Sequence, residues 1–302
     1  MTRIVSDRFF FRAIDKLTGE SGQYNGSAQW VADKSYNAST GDHWQDAVSE
    51  WVLSLGPIDH IRFDGEGSGE FSSGVLRKIG WSNPKGAWAS EFNPVLRESI
   101  ARSGMIPYDH IMVDGIAQSV QGGEMVVIAN QFIDALPFTV LRQDMKTGYY
   151  EELCIADDGH RYYSPFGWNT NIIDKSAILD NVRIGNPFVY SPSRANYLKT
   201  IFARRGITHL LVIDWSAEMT EDHFVRGIGE GGVLHAPVPT EWISSVASSF
   251  GATVSFAGWA VNWKYIYNRR SNIQMERYNA LAITVVTVKN EGLRPGHETC
   301  NV

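Results

Sequence analysis

The residues best suited to chemistry lie where apolar runs stop. In HIRFDGEGSGEFSSGVLRKIG a short apolar run ends in Asp64-Gly65-Glu66-Gly67-Ser68-Gly69, and a helical pattern follows at once. Glycines let the backbone turn sharply and approach a ligand closely, and the helix head that follows presents free N–H groups. Asp64, Gly65, Gly67 and Gly69 therefore suit a nucleotide-like ligand; the plain alternative is a glycine-rich turn from strand to helix. The next run, WASEF, ends at Glu91. A carboxylate one strand beyond a glycine loop typically accepts hydrogen bonds from ribose hydroxyls. The alternative is a solvated or capping carboxylate, because Asn93-Pro94 reads as the cap and first position of a helix. A third run ends in Asp114-Gly115, which suits either the adenine edge of a nucleoside or an ordinary turn. The fourth, MVVIANQFIDALPF, delivers Asn130 and Asp134 just past an apolar strand. Core packing alone explains that pattern poorly; a capped turn ended by Pro137 is the competing reading.

These residues need a sheet to align them. The apolar runs at 60–63, 86–92, 110–113, 125–130, 209–214, 252–259 and 280–288 are separated early on by helical patterns such as NPVLRESIARSG. Strands alternating with helices indicate βαβ units and a mostly parallel sheet, and strands buried on both faces read as continuous apolar runs. The expectation is an α/β, Rossmann-like fold with a seven-stranded, mostly parallel sheet closed by a final edge hairpin. The aromatic, turn-rich stretch at about 139–190 breaks the rhythm and reads as an inserted hairpin and lid. Residues 1–45, polar and rich in Gly, Ser and Asn, read as an N-terminal cap segment before a domain over 46–302. Within HWQDAVSEWVLSL, Trp44, Ala47, Val48, Trp51, Val52 and Leu55 recur at helical spacing.

Composition narrows the function classes. At 302 residues with 43% apolar and 20% charged residues, the chain can bury a sizeable core. Its net charge of −6 argues against an electrostatic grip on nucleic acid or anionic lipid. No apolar run approaches the ~18 residues of a membrane span. Cys154 and Cys300 lack metal-ligand spacing, and the eight histidines are scattered, so no metal site is expected and a reducing, cytoplasmic compartment is the default. Gly227 to Gly232 spell G-x-G-x-x-G without a preceding strand and read as a loop. Trp242, Trp259, Trp263, Tyr265 and Tyr267 read as core or as a homodimer face before a pocket lining.

IANQFIDALPF resembles the ANEFxDALP signature of the MidA-like methyltransferases, a family that includes the mitochondrial complex I assembly factor that methylates a protein arginine. GEGSGEFSSGVLRKI, SEFNPVLRESIAR and GITHLLVIDWS resemble further family segments in the same order, so the likeness covers about residues 35–260. Gln131 stands where the family has Glu, Trp215-Ser216 where it has Tyr-Gly, and Asp64 lies next to the first glycine rather than two positions before it. The resemblance implies a class I fold that binds S-adenosyl-L-methionine (SAM). It implies that Gly65, Gly67 and Gly69 pass the methionine part of SAM, that Glu91 holds the ribose and that Asp114 meets the adenine. It also implies that Asn130, Asp134 and Asp214 face the methyl group and its acceptor. A carboxylate there suits an arginine-like or amine acceptor on a protein or a small metabolite. Two rivals share the layout. An NAD-dependent oxidoreductase expects G-x-G-x-x-G, but position 70 is Glu; a non-catalytic, methyltransferase-like assembly protein keeps the fold without the reaction.

Overall fold

The structure of the chain, a computed structural model, describes residues 42–83, 86–91, 94–108, 123–134, 136, 138–155, 161–166, 173–179, 184–204, 206–215, 238–259 and 281–288. Five α-helices are present among them: α1 (Asp42–Ser54), α2 (Glu70–Lys78), α3 (Pro94–Arg102), α4 (Pro192–Ala203) and α5 (Thr240–Ser249). The strands are β1 (His60–Asp64), β2 (Ala87–Ser90), β3 (Ile106–Tyr108), β4 (Met125–Asn130), β5 (Thr139–Gln143), β6 (Tyr150–Ile155), β7 (Arg161–Pro165), β8 (Phe188–Tyr190), β9 (Ile207–Trp215), β10 (Thr253–Trp259) and β11 (Leu281–Thr287).

The main sheet runs β10-β11-β9-β4-β1-β2-β3. Its five neighbours from β9 to β3 are parallel, and β11 is antiparallel to both β9 and β10. The final strand therefore lies inside the sheet, and β10 forms the edge. The chain winds outward from β1 through β2 to β3, then crosses back to β4 on the other side of β1. That reversal opens a crevice above the carboxyl ends of β1 and β4, the place where open α/β sheets bind ligands. Register keeps the strand ends level: Asp64 lies beside Ser90 and Ala129, and Asn130 beside Ile213.

Side-chain alternation along the central strands builds two cores. Met125, Val127, Ala129, Leu210 and Val212 face α4, α5 and a second sheet. Val126, Ile128, Leu211 and Ile213 face α1, α2 and Ile100 of α3. Such strands must be apolar throughout, and β4 is buried at all six positions. In α1 the residues Trp44, Val48 and Val52 recur at i, i+4 and i+8 and are buried against the sheet; each contributes ~1.5–3 kcal/mol relative to exposure. Ser191 caps α4 by accepting the Arg194 N–H at 3.2 Å, with Pro192 opening the helix.

Between β4 and β9 the chain forms a four-stranded antiparallel sheet in the order β7-β6-β5-β8. It is larger than the hairpin expected from the sequence. Val140, Leu141, Leu153 and Phe188 join the same core as α4 and α5. The third expected strand, at 110–113, and Asp114 lie outside the described residues, as do residues 1–41, Gly227 to Gly232 and Trp263, Tyr265 and Tyr267. The strand that pairs with β2 is Ile106–Tyr108. No helix among the described residues is long and apolar enough to cross a membrane.

Candidate functional site

The crevice floor is the glycine turn. β1 stops at Asp64, and Gly65, Gly67 and Gly69 follow with φ of +73°, +64° and +81°. Glycine takes such angles at no steric cost, which most side chains do not allow. At Gly65 space is also short, because a Cβ there would come within 2.7 Å of the Phe132 ring. Phe132 belongs to the loop after β4, so the two loops flanking the crevice touch. Gln131, just before it, has φ +50° and donates its N–H to the Ile213 carbonyl at 2.7 Å. A left-handed non-glycine residue at a strand end is local strain held by its surroundings.

The turn satisfies its own amides. Gly65 N–H donates to Ser90 Oγ at 3.0 Å, Glu66 N–H to the Ser90 carbonyl at 3.0 Å, and Gly67 N–H to Glu91 Oε2 at 2.8 Å. Glu66 Oε1 accepts the Ser72 N–H at the head of α2 at 2.6 Å. Glu66 keeps some surface exposure, yet protein atoms crowd its carboxyl. Burial pushes its pKa from 4.5 up to about 8; the negative fields of Glu91 and Asp64 add to this, against the lowering effect of the Ser72 hydrogen bonds.

The expected site residues divide by what their side chains hold. Glu91 is buried at the end of β2 and reaches across to the glycine turn. Asp64 is buried, and its carboxylate takes the Arg62 guanidinium through Nε at 3.0 Å and Nη2 at 2.6 Å, and the Tyr197 hydroxyl at 2.7 Å. A buried guanidinium requires such a partner. Asp64 thus braces the strand end from beneath. Asn130 is buried at the end of β4. Asp134 is fully buried, and Arg194, equally buried in α4, donates to the Asp134 and Leu136 carbonyls. Asp214 Oδ2 accepts the N–H groups of Ile133 at 3.0 Å and Asp134 at 3.1 Å, so it ties the end of β9 to the loop after β4.

Sequence reasoning missed Glu66, Ser90, Arg62, Tyr197 and Arg194. Arg62 did carry a signal, since a cation inside an apolar strand demands a carboxylate, and Asp64 is two residues away on the same face. Tyr197 and Arg194 carried none; they reach the site from 133 and 60 residues away in sequence. Among the described residues no group of three or more His, Cys, Asp or Glu is placed to hold a metal ion.

No family model matches the sequence, and no curated protein is similar to it in sequence. Among solved structures the chain is similar to a candidate methyl transferase from Burkholderia thailandensis bound to S-adenosyl-homocysteine. The two share 12% identity at a TM-score of 0.55, over 82% of this chain and 77% of the other. An uncharacterized protein of the same superfamily and organism is similar at 11% identity and a TM-score of 0.59, over 95% of this chain and 94% of the other. At this identity the likeness establishes the methyltransferase-like α/β fold.

Proposed function

We propose that the chain is a SAM-dependent methyltransferase whose cofactor lies in the crevice between β1 and β4. The observation that carries this reading is the meeting of Glu91 with the glycine turn beside the reversal of strand order. It occurs in a fold shared with a protein bound to S-adenosyl-homocysteine. A dinucleotide fold has six parallel strands in the order 3-2-1-4-5-6, whereas here the antiparallel β11 separates β9 from β10.

The residues present fit the cofactor. The Glu66 and Glu91 side chains take amide donors of the turn and of the helix head, a setting that leaves fewer of them for a phosphate. Glu91 is placed for the ribose hydroxyls, and the bare backbone of Gly65, Gly67 and Gly69 leaves room for the methionine part. When bound, SAM supplies an electrophilic methyl group on a cationic sulfur. The protein's tasks are to hold an acceptor in line with that methyl group and to take the acceptor's proton. Asn130 and Asp134, on the loop across the crevice, are the groups assigned to the acceptor, with Asp214 as the positioning residue that holds their backbone. A nitrogen acceptor, arginine-like or a simple amine, on a protein or a metabolite, suits a carboxylate there.

Calorimetric titration of the full chain with SAM, S-adenosyl-homocysteine and NAD tests the reading. SAM and S-adenosyl-homocysteine are expected to bind and to raise the melting temperature; NAD binding without SAM binding overturns it. One observation favours a second reading, a non-catalytic assembly protein: Asp134 is fully buried and the Asp214 carboxylate is engaged by backbone. Methyl transfer to any member of an acceptor panel of arginine peptides and cell-extract metabolites excludes it.

A further inference from the structure

In dinucleotide-binding α/β proteins a phosphate sits at the head of the helix that follows the glycine loop, held by free N–H groups and the positive end of the helix. In this chain the N–H groups of Gly65, Glu66, Gly67, Gly69 and Ser72 are turned inward. Glu66 Oε1 takes the Ser72 N–H from the first turn of α2, and Glu91 Oε2 takes the Gly67 N–H. Ser90 takes the N–H groups of Gly65 and Glu66, and the Glu66 carbonyl takes that of Gly69 at 3.3 Å. Gly69, the cap residue of α2, has no side chain to offer, and the carboxylate that caps the helix comes from within the glycine turn itself.

We propose that Glu66 is a specificity-determining residue of this site: by capping α2 from inside the turn, it closes the position a phosphate would occupy and makes the crevice refuse phosphate-bearing nucleotides. An entering pyrophosphate must displace the Glu66 carboxyl group from the Ser72 N–H. It must then sit beside Glu91 with the N–H groups of Gly65, Glu66, Gly67 and Gly69 already bonded. A sulfonium nucleoside needs none of those donors. The second half of this argument rests on the SAM reading above; the closing of the phosphate position does not.

The test uses the full chain as wild type, Glu66→Ala and Glu66→Gln, titrated calorimetrically with inorganic pyrophosphate and with NAD, and separately with SAM. Gln keeps an oxygen for the Ser72 N–H, whereas Ala vacates it. Wild type and Glu66→Gln are expected to refuse pyrophosphate, and Glu66→Ala to bind it at least about tenfold more tightly than wild type. Glu66→Ser replaces the alanine variant if circular dichroism shows that the latter does not fold. A folded truncation that gains no affinity overturns the proposal, as does a wild type that binds pyrophosphate as tightly as the truncation. An equal gain in Glu66→Gln overturns the capping account, because an oxygen held at the Ser72 N–H then excludes nothing. Failure of SAM to bind wild type defeats the methyltransferase reading, and the pyrophosphate comparison still decides the role of Glu66.

Discussion

Glu66 keeps its proton far above the usual carboxylate range because burial, before any neighbouring charge, disfavours its ionised form. The sign of the consequence follows from linkage. The folded pKa of about 8 lies above the ordinary glutamate value of 4.5, so the stabilising contribution is complete below that lower value and is lost as pH rises to about 8. The melting temperature of the wild type should therefore fall between about pH 4.5 and about pH 8, and that of Glu66→Gln should fall less, by the share this one group contributes. Parallel curves for the two proteins would remove Glu66 from the explanation. Asp134 and Asp214 separate in the same way, by what each substitution disturbs. Asp214→Ala strands two buried N–H groups at ~1–3 kcal/mol each, which urea denaturation reads directly. Asp134→Asn keeps the fold and the affinity for SAM within a few-fold, and it should lower turnover ~100-fold if the carboxylate takes the acceptor's proton. Normal turnover in that variant would make Asp134 structural.

At the scale of elements, the two loops that frame the crevice are one mechanical unit, because Phe132 occupies the space a Cβ on Gly65 would need. Gly65→Ala forces φ +73° on a residue with a side chain, at a cost of ~1–3 kcal/mol, and drives a methyl group into the ring. A double-mutant cycle with Phe132→Ala should show coupling of ~0.5–3 kcal/mol, with the second substitution relieving part of the first; strict additivity would mean that only the backbone angle matters. For the same reason Gly67, at φ +64°, is better replaced by Asn than by Val when cofactor binding is assayed, since Asn tolerates that angle. The elements that sequence reveals are those whose environment is uniform. β1, β4, β9, β10 and β11 fall on the expected apolar runs with ends shifted by two residues at most, and in β1 and β4 burial on both faces leaves the sequence little choice. β3 escaped notice because it is three residues long and contains Pro107, which an edge strand tolerates and an apolar-run search rejects. The second sheet was legible only as a break in rhythm. Strands such as YEELCI mix charged and apolar residues, and their partners are fixed by long-range pairing rather than by local pattern.

Over the whole molecule, the two sheets share one core, and that decides whether the inserted sheet can move by itself. Leu141 of β5 has no exposed surface and lies in the cluster that contains Val127 of β4, Leu198 of α4 and Leu210 and Val212 of β9. A lid that opens freely would present a polar or small-residue face to the domain beneath it; here the facing residues are large and apolar, so detaching the inserted sheet would expose them at ~25 cal/mol per Å². The inserted sheet and the parallel sheet should therefore unfold together. Leu141→Ala removes buried volume from the shared core and should cost ~2–5 kcal/mol. Native-state hydrogen exchange, read peptide by peptide, distinguishes the two arrangements. With a shared core, the variant loses protection by the same free energy in β4 and β9 as in β5 and β6, and the equilibrium transition stays single. With an independent lid, protection falls in 139–190 alone, while the amides of Val126 to Ala129, in the strand that leads to Asn130 and Asp134, exchange as slowly as in the wild type.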